Sequence, residues 1–242
     1  MFKLFAVILL FVVLTKGRME NEITFTTNSN SRSVANIDEY INQNRQKYAN
    51  MLQDYNNRLN IFQKVYNARL DGIGIQQNML TDSMLQNEGN LNSLEGSNES
   101  TKECVIKYRS TLPTVADTKT SILSCVNIAK NQYSNLLNEP ENTKMYLIGY
   151  YYGYFDIKLR DCSENLDNTS VNYNDCVTSV INTSNIFTTS NQNNFDTQMS
   201  AADQSSIVII KTAFDCSFQI EKRTISLIVE VNNLISKCQL GL

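Results

Sequence analysis

The chain has 242 residues, of which 42% are hydrophobic and 19% charged, with a net charge of −3. That composition excludes disorder as its overall class and leaves no basic face for nucleic acid. With no histidine, the commonest general base and thiol activator is missing, and no nucleophile motif stands in its place. We therefore expect no enzyme, no catalytic residue and no cofactor.

Asparagine makes up about one residue in eight, so much of the polar surface is uncharged and only weakly sensitive to salt. The first seventeen residues follow the secretory plan. Lys3 gives a positive start, Leu4 to Leu14 is an unbroken apolar run, and Thr15-Lys16-Gly17 offers small residues for cleavage. The run is shorter than the roughly 20 residues of a membrane span, and no later stretch is apolar enough to be one. The reading is a cleaved signal peptide over 1–17 and a flexible leader over 18–35, followed by a secreted, extracellular chain.

Residues 36–70 carry Ile41, Tyr48, Tyr55 and Phe62 seven apart, with Ile37, Leu52, Leu59 and Tyr66 interleaved, which predicts a long helix. Its face is wide enough for packing inside its own bundle, and a homo-oligomer through this helix is the alternative. Asp71-Gly72-Ile73-Gly74 is read as its end. A weaker helix over 75–94 would complete an antiparallel hairpin spanning 36–95. Gly72-Ile73-Gly74 lacks the third glycine and the preceding strand of a nucleotide fingerprint.

All six cysteines, Cys104, Cys125, Cys162, Cys176, Cys216 and Cys238, follow residue 97. The expected elements there are a helix over 99–109 and a turn at Leu112-Pro113-Thr114. Helices over 117–138 and 141–166 follow, parted by Pro140. A polar loop over 163–172, a helix over 174–187, a loop over 188–196 and a helix over 198–237 complete the chain. The fold class is all-α: a disulfide-stapled antiparallel helical bundle with long helices. Residues 97–242 form a cysteine-bearing bundle, or 36–242 form one domain.

An even cysteine count behind a signal peptide reads as three disulfides, and the lack of Cys-x-x-Cys and of histidine argues against zinc. No metal is expected, since Asp161-x-Ser163-x-Asn165-x-Asp167 lacks the glycine and terminal acid of a calcium loop. In a continuous last helix, Cys216 and Cys238 stand about 33 Å apart, beyond the roughly 4.4–6.8 Å that a bridge allows. Cys162 and Cys176 flank the one short polar loop and are the favoured pair. Cys104 and Cys125 then join Cys216 and Cys238 in either order. Pairing Cys104 with Cys125 would instead break the last helix. Sequons at Asn98, Asn168 and Asn182 predict a glycoprotein.

The block Cys104-x-x-x-Tyr108, Cys125 with Ala129 four residues on, then Cys162, Cys176 and Cys216 resembles the tsetseEP-type domain of secreted insect proteins. The resemblance covers residues 97–240. It implies a secreted helical protein of gut or reproductive tissue and brings no functional residues with it. The expected function is a non-enzymatic structural or interaction protein of an extracellular fluid, gut lumen or glandular secretion, meeting an extracellular protein or glycan. The alternative is a carrier of small apolar ligands. Its candidate ligand pocket is Tyr146 to Phe155, where Tyr146, Tyr150, Tyr151 and Tyr154 surround a groove left by Gly149 and Gly153.

Overall fold

The computed structural model describes residues 35–241; the expected signal peptide and leader lie outside them. Five helices follow in order: α1 Ala35–Glu95, α2 Glu99–Arg109, α3 Val115–Tyr150, α4 Asp156–Asn165 and α5 Val171–Gln239, with a π-helical turn at Tyr151–Phe155 between α3 and α4. No strand occurs among the described residues.

Cross-helix pairs give the topology. Asn44 meets Asn185, Arg58 meets Asp196 and Asn87 meets Asn232, so α1 and α5 rise in the same direction. Tyr66 donates to the Ala129 carbonyl and Tyr151 to Asn44, so α3 descends between them. The result is an up-down-up three-helix rod whose third helix, 69 residues long, spans about 100 Å at 1.5 Å per residue. The described residues form one compact unit.

The hairpin expected over 36–95 is corrected to one continuous helix of 61 residues. A glycine inside a helix costs about 1 kcal/mol, and burial of Leu70, Ile73 and Leu80 on either side of the glycines outweighs it. Gly72 serves packing instead, since a Cβ there would sit 3.3 Å from the Phe214 ring.

The break at Pro140 is corrected in the same way. The residue is buried inside α3, where its missing N–H and ring cost about 3 kcal/mol. Burial of Leu137, Thr143 and Leu147 around it holds the helix together. Further down, Leu147, Tyr151, Phe155 and Leu159 are buried four residues apart. An α-helix would drift off that face at 3.6 residues per turn, and the π-helical turn restores the phase.

The loop expected over 188–196 is helix too, and α5 is unbroken from 171 to 239. Val177, Ile181, Ser184, Thr188, Asn191 and Phe195 are buried at alternating spacings of four and three, a seam in which half the positions are polar. Hydropathy hides such a helix, although its period is plain. The helix starts behave as local chemistry dictates. Asn98, Thr114 and Ser170 accept from the first-turn amides of Thr101, Asp117 and Tyr173.

Three intramolecular bridges staple the rod: Cys104–Cys238, Cys125–Cys216 and Cys162–Cys176. The last is the favoured loop pair. The other two settle the open order and agree with an unbroken final helix.

Candidate functional site

The segment Tyr146 to Phe155 holds five tyrosines and a phenylalanine within ten residues. The structure does not bring Tyr146, Tyr150, Tyr151 and Tyr154 around one pocket. Tyr146 is 71% exposed and Tyr154 is also at the surface. Tyr150 is half-buried and stacks on Phe187 at 3.8 Å, and its hydroxyl pKa is pushed up to about 12, mainly by burial. Tyr151 lies in the core, stacked on Tyr48 at 3.7 Å. Its hydroxyl donates to Asn44 Oδ1 at 2.7 Å and lies 3.1 Å from Ser184 Oγ. Burial raises its pKa as well. Cβ atoms added at Gly149 and Gly153 would meet nothing within 4 Å, so the expected groove admits no neighbouring element of this chain.

Tyr151 belongs instead to a ladder of rings filling this half of the rod. Tyr55 stacks on Phe195 at 3.7 Å, and the Arg58 guanidinium caps Phe195 while pairing with Asp196. Tyr55 donates to Asn191 Oδ1 at 2.9 Å, and Asn191 Nδ2 donates to the Thr143 carbonyl at 2.9 Å. Asn191 thus ties α1, α3 and α5 at one level. The seven-residue seam of Tyr48, Tyr55 and Phe62 lies inside the bundle, so any homo-oligomer through α1 must use another face.

Such a face exists. Ile61, Val65, Ile75 and Met79 are 57%, 40%, 65% and 67% exposed, and Ala68 is exposed between them. They fall at spacings of four, three, seven and four, the stripe of a helix that meets a second helix, while Gly72 within that register is partly covered by Phe214 of α5. Sequence reasoning missed it because the buried seam on the same helix carried the stronger aromatic signal.

The described residues also form a cleft of about 510 Å³ where α1, α5 and the α2–α3 turn meet. Met84, Leu91, Leu112, Val115 and Ile228 give it an apolar lining, and Asn87, Glu88 and Arg109 add polar groups. The Leu112-Pro113 turn explains the gap. It interrupts the descending arm, and the core divides there into a main cluster ending at Met84 and a smaller one around Leu91, Val105, Val231 and Ile235.

The sequons lie on the surface: Asn98 at the start of α2, Asn168 in the loop before α5 and Asn182 on the outer side of α5. Among the described residues, no group of three Cys, Asp or Glu side chains could hold a metal ion. None of their helices is long and apolar enough to cross a membrane. No family model, no curated protein and no solved structure matches the chain.

Proposed function

We propose that this chain is a secreted, glycosylated, non-enzymatic interaction protein, a stapled helical rod that presents the outer face of α1 to a helix of an extracellular partner or of a second copy. The exposed stripe Ile61, Val65, Ala68, Ile75 and Met79 carries this reading. Large apolar residues at heptad spacing on an outer face are favourable where another helix covers them. The secretory start and three intramolecular disulfides support extracellular life. The cysteine spacing supports a place among tsetseEP-type domains, and that membership is part of the proposal.

The test uses the full chain secreted from eukaryotic cells, with glycans on Asn98, Asn168 and Asn182 and a mature start near residue 18. Chemical cross-linking in the native secretion should join Lys64, which flanks the stripe, to a second polypeptide. The double substitution Ile75→Glu and Met79→Glu should abolish that cross-link while leaving the helical content intact. Retention of the chain inside the cell, or a cross-link that survives the double substitution, would overturn the reading.

A further inference from the structure

The cleft beside the α2–α3 turn differs from an ordinary surface groove in three respects. Its walls are fixed covalently, because Cys104–Cys238 ties α2 to α5 on one side of the turn and Cys125–Cys216 ties α3 to α5 on the other. Ile228 of the lining lies between the two anchor points on α5. The volume, about 510 Å³, falls within the roughly 300–1,000 Å³ of small-molecule sites. A gap between two core clusters that the bridges hold at fixed separation cannot close by the collapse that usually fills a void.

The second respect is a donor without a partner. Asn87 lines the cleft and is only 8% exposed. Its Oδ1 accepts from Asn232 Nδ2 at 2.9 Å, which fixes the amide plane, and among the described residues no partner accepts from its own Nδ2. That Nδ2 keeps its contact with solvent through the cleft, and a bound acceptor can take the place of water on it.

The third is the charge at the rim. Arg109 places Nη2 3.1 Å from Glu88 and Nη1 3.2 Å from Glu95, so two carboxylates surround one guanidinium. The cation that would attract an acid is already taken, and the surplus at the mouth is negative.

We propose that this cleft binds a small neutral apolar molecule carrying one acceptor oxygen, an alcohol, ester or ketone, with Asn87 Nδ2 donating to that oxygen and Met84, Leu91, Leu112 and Ile228 enclosing the hydrocarbon body. An anionic amphiphile such as a fatty acid is repelled by the rim. The site is separate from the tyrosine segment, and this inference does not rest on the α1 contact face.

The experiment titrates the full oxidised chain with the neutral fluorophore N-phenyl-1-naphthylamine and displaces it with 1-decanol or with decanoate at pH 8. The chain has no tryptophan, and exciting the probe in its own absorption band, beyond that of tryptophan, keeps the signal comparable in the tryptophan variants below. We expect 1-decanol to displace the probe at concentrations at least tenfold below decanoate. Ala116→Trp and Leu85→Trp, each at an exposed wall position, should each block the probe. Asn87→Leu should weaken 1-decanol about tenfold, whereas Asn232→Leu, which removes the same Asn87–Asn232 contact but keeps the donor, should not. Absence of probe binding, binding unchanged in both tryptophan variants, decanoate equal to decanol, or equal losses in Asn87→Leu and Asn232→Leu would each overturn the proposal.

Discussion

Around Tyr48, Tyr55 and Phe195 the three helices are held by interleaved rings, and Tyr55, Asn191 and the Thr143 carbonyl are joined across helices by hydrogen bonds. Around Met84 and Leu91 the descending arm is broken, the core splits in two, and bridges on both sides hold the pieces to α5. The first region specifies itself by shape and hydrogen bonding. The second relies on covalent closure, and a cleft can persist there because closing it would strain the staples. In one rod, packing and disulfides therefore substitute for one another.

Breaking the staples should give the largest effect. Replacing Cys104 and Cys238 by Ser opens a loop of 134 residues, worth about 5 kcal/mol in the chain-entropy account, against about 3 kcal/mol for the 14-residue separation of Cys162 and Cys176. Urea unfolding of the two double mutants measures the difference. Amide exchange in the first should rise over α2 and leave the Tyr55 level protected.

Phe195→Ala attacks the other region by removing a fully buried ring stacked on Tyr55. It should cost about 3–5 kcal/mol, and the loss should be the same whether or not the Cys104–Cys238 bridge is present. Coupling between the two changes would argue against independent regions. Asn191→Ala should cost about 1–3 kcal/mol, because the Tyr55 hydroxyl and the Thr143 carbonyl lose their shared partner.

The ladder also predicts an alkaline limit. Burial raises the hydroxyl pKa values of Tyr55 and Tyr151, and that of Tyr150 to about 12, above the ordinary 10.0. The folded chain therefore binds more protons than the unfolded one above pH 10. Stability should hold up to about that pH and fall as pH rises through the raised values. In Tyr151→Phe the fall should be shallower. A stability curve that is flat to pH 12 would remove burial of these hydroxyls from the account.

The smallest expected effect is a gain. Gly89 lies in α1 near the cleft, with nothing within 4 Å of an added Cβ, so Gly89→Ala should stabilise by about 1 kcal/mol. Gly72→Ala has the same propensity gain but meets the Phe214 ring at 3.3 Å. Thermal melts of the two variants separate propensity from packing, with Gly72→Ala expected below Gly89→Ala.

Much of this was legible in the residues. The 36–70 helix, the α2 helix and its turn at Pro113, the Cys162–Cys176 bridge and the continuity of the last helix through both of its cysteines all follow from period, turn chemistry and reach. Three misreadings share one cause, since each took a local breaker or a polar run as a stop. Gly72, Pro140 and the Thr188 to Asp196 stretch were overridden because their neighbours are buried or, in the case of Asn191, because the polar group itself is hydrogen-bonded across helices. The tyrosine segment misled differently. Composition shows that aromatics are dense there but not which way each ring points, and the π-helical turn that sets their direction arises from the four-residue spacing of buried positions.

Taken alone, the sequence determined that the described chain is helical, that its cysteines are paired, and which short loop is bridged, because these depend on local periodicity, count and chain reach. The tertiary structure decided that three long helices run up, down and up, how the four remaining cysteines pair, and that a cleft opens where the descending arm breaks. Those outcomes depend on which distant faces bury each other, and no window of sequence contains both faces.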